Sequence, residues 1–238
     1  MRQWFALLLC INLLSLRVSA LEASVFHSVF YRTEQGKQVA YVETCWQVDP
    51  RTVHFTTTPQ NTIVGKLRTD IIYTNEKGVV AEDHFILQTP PRANADELTT
   101  LNIIGLRTYN VPEGLINVKF RITDLADTNS KAVYKDSFNV APAVNTAFFS
   151  SVQLLDTAFE STEQTVFSKN NRQQVPAATN FLDDYKKVLH YYVELYGSDK
   201  IAKEEYPLIR KVFITKIEDG PPGGKFVKAD TITPAAML

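Results

Sequence analysis

This chain of 238 residues has few cysteines, few glycines and almost no net charge. It has two cysteines and nine glycines, and its 25 lysines and arginines balance 26 acidic residues. So few cysteines exclude a small fold held by disulfides, and the charge balance argues against a nucleic-acid-binding protein. Hydrophobic residues make up 45% of the chain, which is enough to bury a core and excludes a disordered polypeptide.

Only one long apolar run is present, and it lies at the N-terminus. Arg2 precedes the run from Trp4 to Leu16, and Val18 and Ala20 place small residues at the −3 and −1 positions. This order is typical of a secretory signal peptide, and the run is shorter than the roughly 20 residues of a membrane-spanning helix. We therefore expect residues 1–20 to be a signal peptide cleaved after Ala20, and the mature chain to have no transmembrane segment.

The mature chain would carry 23 basic against 26 acidic residues, a net charge of −3, and one cysteine, Cys45. A single thiol cannot form an internal disulfide, so the stability of an exported protein would have to come from side-chain packing. Cys45 stands between Thr44 and Trp46 in an apolar run. This position predicts a buried, unreactive thiol.

Alternation of apolar and polar residues dominates residues 38–140. Ile116, Val118, Phe120 and Ile122, for example, alternate with polar residues after a turn at Pro112-Glu113-Gly114. Short strands broken by turns, with no helical repeat between them, predict an antiparallel, Ig-like β-sandwich over residues 21–141. The predicted strands are 39–48, 63–74, 79–87, 101–109, 116–123 and 134–140.

A hairpin is predicted at Asn75-Glu76-Lys77-Gly78, where the glycine would supply a positive φ. Alternation in its two strands places Lys66, Arg68 and Asp70 on the solvent face, together with Glu82 and His84. For His84, a solvated strand residue is the preferred interpretation over a metal or acid–base site shared with Asp83.

Residues 142–150 are predicted to be a linker, and residues 151–238 a second, smaller or incomplete β-rich, sandwich-like domain. Strands are predicted at 152–155, 165–167 and 208–217, with a turn at Asn170-Asn171. Residues 181–196 are ambiguous: their apolar residues fit a helical stripe, yet residues 187–196 are dense in Val, Leu and Tyr, as in a strand. Periodicity alone narrowly favours the helix.

Four segments resemble the N-terminal region of the secreted GWxTD-domain proteins of Bacteroidota. They are Val29–Arg32, the strand Val39–Trp46, the turn and strand from Pro112 to Leu125, and Tyr191–Tyr196. The resemblance covers most of the mature chain, although the tryptophan-bearing motif that names the family is absent. It implies an extracytoplasmic, non-enzymatic protein with no catalytic residues to carry over, and it favours a strand at 187–196.

No catalytic or metal-binding motif is evident. His27, His54, His84 and His190 are far apart in sequence, and the chain has no Cys-x-x-Cys or Gly-x-Ser-x-Gly motif. Adjacent carboxylates at Asp183-Asp184 would point in opposite directions on a strand. The sequence therefore predicts a protein that is not an enzyme and has no cofactor or metal.

Two kinds of candidate site remain. Tyr109, Tyr191 and Tyr192 could bind a carbohydrate, since basic and aromatic residues cluster near the latter two. Thr157 and Thr231 lie in Asp-Thr-apolar triplets that resemble the O-glycosylation sequon of Bacteroidota.

The function expected from the sequence is a non-catalytic, exported binding or scaffold protein of the periplasm, the outer-membrane periphery or the extracellular space. Its partner would be an unknown envelope protein or glycan, and not a nucleic acid. Two alternatives remain open: an accessory domain of an envelope hydrolase, or a carbohydrate-binding module.

Overall fold

The computed structural model describes residues 20–144, 146–177, 188–200, 210–215 and 226–232. The all-β prediction is confirmed, because every paired strand is antiparallel and the described residues hold one α-helix, α1 (Ala95–Thr99). None of the helical segments in these ranges is long and apolar enough to cross a bilayer.

The strands are numbered in chain order. They are β1 (Ala23–Glu34), β2 (Lys37–Val48), β3 (Thr56–Thr57), β4 (Ile63–Val64), β5 (Lys66–Asn75), β6 (Gly78–Gln88), β7 (Ile103–Asn110), β8 (Gly114–Asp124), β9 (Lys131–Val140), β10 (Phe148–Phe149), β11 (Gln153–Glu160), β12 (Ser168–Lys169), β13 (Arg172–Pro176), β14 (His190–Tyr192), β15 (Leu195–Tyr196), β16 (Arg210–Thr215) and β17 (Phe226–Ile232).

Two sheets face each other as the predicted sandwich. The three-stranded sheet has the order β1-β2-β7 and the four-stranded sheet has the order β6-β5-β8-β9. Alternation in β8 buries Ile116, Val118, Phe120 and Ile122, as predicted. The predicted hairpin joins β5 to β6, and Gly78 has a φ of 124°. The sequence pattern therefore predicted the sandwich and the inward-facing residues of β8, but it missed β1, which completes the three-stranded sheet.

Trp46 lies at the centre of the sandwich. Its ring is 1% exposed and lies 5.6 Å from the rings of both Phe85 and Phe120 in the opposite sheet. Gly105 on the neighbouring strand β7 is directly opposite Trp46. A Cβ atom at Gly105 would come within 2.2 Å of the indole, so the large ring requires a residue without a side chain beside it.

A third sheet, with the order β12-β13-β11-β14, covers the back face of the three-stranded sheet, which is the face turned away from the four-stranded sheet. Ser151 and Val29 exchange two hydrogen bonds of 3.0 Å between the layers. The ring of Tyr192 lies 5.8 Å from that of Phe30. The three-stranded sheet is consequently the middle of three layers.

An ion pair is buried between the middle and third layers. Glu43 Oε1 lies 2.7 Å from Lys169 Nζ, and Gln153 donates a hydrogen bond of 3.1 Å to Glu43 Oε2. The ammonium also lies 4.1 Å from the ring centre of Phe30 and 4.6 Å from that of Tyr192. By distance the Glu43 contact is an ion pair, although it is not aligned as a hydrogen bond. Lys169 is therefore held by charge and by ring faces together.

Contacts divide the chain into two compact units. The first comprises residues 1–143 and 150–194, and the second comprises residues 144–149 and 195–238. In the second unit, β10 pairs with β15 and β16 pairs with β17, and the rings of Phe148 and Tyr196 lie 5.1 Å apart. The predicted second domain thus contributes residues to both units, and β10 falls within the predicted linker. The predicted domain boundaries themselves stay a prediction.

Local predictions in residues 150–217 had mixed outcomes. Asn170 and Asn171 form the predicted turn, with φ values of 51° and 57°. The predicted strand at 165–167 is wrong, because Thr165 and Ser168 hydrogen-bond to nearby backbone N–H groups and form a turn there. The strand interpretation of 187–196 is confirmed at β14 and β15, while residues 188–189 and 193–194 are outside strands; residues 178–187, with Asp183-Asp184, lie outside the described residues.

The close approach of Trp46 and Gly105 leads to a first prediction. Gly105→Ala should destabilise the protein by about 1–3 kcal/mol, because the added methyl group overpacks the core beside the indole. Urea unfolding measures this change. Thr108→Ala, at an exposed position of the same strand, is the control and should change stability by less than about 0.5 kcal/mol. Equal effects of the two substitutions would contradict the prediction.

The buried ion pair leads to a second prediction. Lys169→Met should cost about 3 kcal/mol, because it leaves the Glu43 carboxylate buried without its counter-charge. Adding Glu43→Gln to this variant should recover part of the loss, since the remaining amide still accepts from Gln153.

Chemical unfolding of the two single variants and the double variant measures the coupling. Arg172→Met is the control, because its partner Glu160 is 88% exposed and the pair should contribute less than about 1 kcal/mol. Strictly additive losses at Glu43 and Lys169 would show that the two residues do not stabilise the interface as a pair.

Candidate functional site

The outer face of the four-stranded sheet, which is turned away from the sandwich core, has Asp70 at its centre. Register places His84 of β6 and Arg121 of β8 on either side of Asp70. Asp70 Oδ2 accepts from Arg121 Nε at 2.9 Å and forms an ion pair with Arg121 Nη2 at 2.8 Å, and Oδ1 accepts from Arg68 Nε at 3.0 Å. Although it faces outward, the Asp70 side chain is only 4% exposed, because these neighbours cover it.

His84 connects two carboxylates on this face. Its Nδ1 lies 2.7 Å from Asp70 Oδ1 and its Nε2 lies 2.7 Å from Glu82 Oε1. These contacts raise the pKa of His84, since an imidazolium can donate from both ring nitrogens. Burial acts to raise the pKa of Asp70, but hydrogen bonds from His84, Arg121 and Arg68 together outweigh it and lower that pKa. Asp70 and His84 therefore favour each other's charged forms.

Charge is strongly one-sided on the outer face. The outward positions of its strands carry six lysines and arginines but only two carboxylates, those of Asp70 and Glu82; Asp136, at an inward position of the edge strand β9, adds a third carboxylate at one end of the face. The basic residues are Lys66, Arg68, Lys119, Arg121, Lys131 and Lys135. In a chain with slightly more acidic than basic residues, this excess produces a local positive potential.

A shallow depression of about 310 Å³ lies at one end of the outer face. Lys119 and Lys135, which are directly opposite each other on β8 and β9, form part of its wall, together with Thr74, Asn117 and Asp136. The depression therefore combines two cations, one carboxylate and two neutral hydrogen-bonding side chains. Arg68, Arg121 and their bound Asp70 lie further along the same face.

Inside the sandwich, a second polar cluster surrounds His27. Its Nδ1 lies 3.0 Å from Thr44 Oγ1, which also hydrogen-bonds to Tyr73 Oη, and its ring stacks on Phe138 at 5.7 Å. Burial lowers the pKa of His27 to about 4, although Asp136 acts in the opposite direction. The imidazole is therefore neutral at pH 7 and serves as a hydrogen-bonding member of the core.

The structure does not bring the three predicted ligand-binding tyrosines together. Tyr109 lies inside the sandwich, where its ring is 5.3 Å from Tyr73 and its hydroxyl donates to Asp83 at 2.9 Å. Tyr192 lies on the back face of the three-stranded sheet, against Phe30, and Tyr191 points the opposite way as its neighbour in the same strand. A single aromatic platform of these residues does not exist in this arrangement.

The other predicted sites fall at separate places in the chain. Thr157 lies in β11 opposite Val175, next to an irregularity in the strand register, and Thr231 lies in β17 opposite Lys211. Ala20 is exposed, while Leu21 is 3% exposed. Cys45 is buried, and burial raises the pKa of its thiol to about 12, as expected for an unreactive cysteine.

Sequence reasoning found part of the outer face and missed the rest. It placed Lys66, Arg68, Asp70 and His84 on the solvent side, but it did not bring Arg121 to Asp70. The available signal was the pair Lys119 and Arg121 at alternate positions of the clearest strand. Within the described ranges, no group of three or more potential metal ligands occurs.

Comparisons with known proteins give no relative: no family model, curated protein or solved structure matches the chain. The resemblance to GWxTD-domain proteins therefore stays a prediction. The geometry of the described residues carries the functional argument by itself.

The environment of His27 leads to a third prediction. The folded pKa of about 4 is below the ordinary value of 6.5, so the stabilisation is complete above pH 6.5 and is lost as the pH falls towards 4. The loss should be at most about 3 kcal/mol. His27→Gln, which cannot titrate, should remove this part of the pH dependence. Urea unfolding at pH 7 and pH 4.5 measures it.

His84→Gln provides a contrasting control for this experiment. The pKa of His84 is raised, so its stabilisation is present below pH 6.5 and is lost as the pH rises through its folded pKa. The His84 variant should therefore keep the acid loss of the wild type. Parallel losses in the wild type and His27→Gln would contradict the assignment to His27.

Proposed function

We propose that the protein is an exported, non-catalytic binding protein of the cell envelope or extracellular space, and that it binds its partner through the outer face of the four-stranded sheet. The observation that carries the proposal is the arrangement of Arg68 and Arg121, which Asp70 holds in place on an exposed surface. Arginines are enriched in binding surfaces, and fixing them beforehand lowers the entropy lost on binding.

The exposed apolar side chains of the same face support a binding role. Ile86 is 61% exposed, and Val133, directly opposite Arg121 on β9, is 47% exposed. Exposed apolar groups beside ordered guanidinium groups provide both the hydrophobic and the polar contacts that protein surfaces use to bind partners. Most polar groups of the interior, such as His27 and Glu43, are instead engaged in contacts that hold the layers together.

Export is supported by the N-terminal sequence and by the packing of the residues that follow the predicted cleavage site. Leu21 is buried and β1 begins at Ala23, so a chain cleaved after Ala20 would keep these packed residues. We further propose kinship with the extracytoplasmic GWxTD-domain proteins of Bacteroidota, and glycosylation at Thr157 and Thr231. These proposals all imply a periplasmic or extracellular location.

A fourth prediction tests export. In the native host, the protein should have the mass of a chain that begins at Leu21, because signal peptidase cleaves after small residues at the −3 and −1 positions. Ala20→Leu should accumulate the uncleaved precursor, whereas Ser19→Leu, at the unconstrained −2 position, should still be processed. Intact-mass measurement checks all three proteins, and added hexose mass would report glycosylation.

A wild-type chain that keeps residues 1–20 in the cytoplasmic fraction would contradict the proposed export. Binding through the outer face is tested separately, by comparing attachment of the wild type and of Lys119→Glu/Lys135→Glu to washed envelopes of the native host. The proposal expects weaker attachment of the double variant. Equal attachment of the two proteins would contradict it.

A further inference from the structure

Five cationic side chains form a diagonal stripe across the outer face. In order, the cationic stripe consists of Lys135, Lys119, Arg121, Arg68 and Lys66. Lys135 and Lys119 are directly opposite, Arg121 follows two residues along β8, and Arg68 is opposite the next outward position of that strand, Thr123. From the spacing of residues and strands, the stripe is about 20–25 Å long.

The cationic stripe lowers the stability of the folded sheet instead of raising it. Lys119 and Lys135 repel each other across the strands, and like charges at such positions destabilise a sheet. In the described chain, neither these lysines nor Lys66 forms an ion pair with a carboxylate. A bound anion would relieve this repulsion, so the arrangement is better explained by a ligand than by folding.

The arginines of the stripe offer ordered donors. Arg68 uses only its Nε for Asp70, and Arg121 uses its Nε with Nη2 in ion-pair contact, so three terminal nitrogens do not contact Asp70 in these interactions. The two side chains are 53% and 45% exposed. A guanidinium group held in this way is suited to a carboxylate or sulfate, which accepts two parallel hydrogen bonds.

The shape of the face selects the class of anion. The cations lie along a line, and the depression beside Lys119 and Lys135 is shallow, whereas a small molecule usually binds in a closed pocket. The strands of the outer face direct no aromatic side chain outward, because Tyr73, Phe85, Phe120 and Tyr134 belong to the inward positions. Single-stranded nucleic acid usually needs such rings for stacking.

We propose that the cationic stripe binds a linear acidic polysaccharide bearing carboxylate or sulfate groups. Arg68 and Arg121 would bind successive acidic groups, and Lys119 and Lys135 would bind a further one at the depression. Thr74 and Asn117 supply hydrogen bonds for sugar hydroxyls there. This inference rests on the proposed function, since export would bring the protein into contact with glycans of the envelope and its surroundings.

The fifth prediction concerns binding of polygalacturonate, a carboxylated polysaccharide, by the protein purified from its native host after processing. Lys119→Glu/Lys135→Glu should weaken binding at least tenfold, as measured by titration calorimetry at fixed salt. Lys37→Glu/Lys77→Glu changes net charge equally, at the exposed first residue of β2 and in the exposed β5–β6 turn, both outside the stripe, and should change affinity by less than twofold. Because all four lysines are exposed, thermal unfolding should be similar in the two double variants.

A second variant tests the geometry of the arginines. Arg68→Lys keeps the charge but loses the planar fork, and it should weaken polygalacturonate binding at least threefold. Dextran sulfate should also bind, whereas neutral dextran should not. Equal losses in both lysine double variants, or tighter binding of oligo-dT or of anionic phospholipid vesicles than of both acidic polysaccharides, would overturn the inference.

The inference and the proposed function fail in distinguishable ways. An uncleaved, cytoplasmic protein that still binds polygalacturonate through the stripe would contradict export while leaving the binding chemistry supported. A processed protein whose attachment to envelopes depends on Lys119 and Lys135, but which binds neither polygalacturonate nor dextran sulfate, would overturn the choice of polysaccharide alone.

Discussion

The three-stranded sheet is covered on both faces, and the rest of the first unit depends on this constraint. Along β2, the even-numbered side chains from Val42 to Val48 face the four-stranded sheet, and the odd-numbered ones face the third sheet. Polar residues in such a strand need partners inside the protein, because water does not reach them. Thr44 hydrogen-bonds to His27 and Tyr73 on one side of the sheet, and Glu43 forms an ion pair with Lys169 on the other.

This double coverage also explains why the covered faces of the three-stranded sheet and the outer face of the four-stranded sheet use their polar residues differently. The inner polar groups join the layers. Lys169 neutralises the charge of Glu43, and burial keeps His27 unprotonated at pH 7. The outer face of the four-stranded sheet has no layer over it in the described chain. The strand register alone therefore decides which charged residues are neighbours on this face. Asp70 can neutralise only part of the basic excess around it, and a positive stripe remains.

Much of the sandwich could be predicted from the sequence because alternation and turn residues are local signals. The residues Ile116 to Ile122 and the turn at Asn170-Asn171 are examples in which adjacent positions decide the structure. The covering of β2 by the third sheet could not be predicted, because it depends on contacts such as Glu43–Lys169 between residues far apart in sequence. The outer-face cluster lies between these cases: strand periodicity gives the face, but only pairing register brings His84 and Arg121 to Asp70.

The reactivity of the Cys45 thiol can report on local opening between the layers. The thiol lies on the back face, beside a cavity of about 150 Å³ whose walls include Val152 and Gln153 of the third-layer region. Because the sulfur is buried, a chemical reagent can reach it only through a local opening around this cavity, and burial keeps the thiolate scarce until then. The rate of thiol labelling in the native protein would therefore report local opening where the third sheet meets the sandwich.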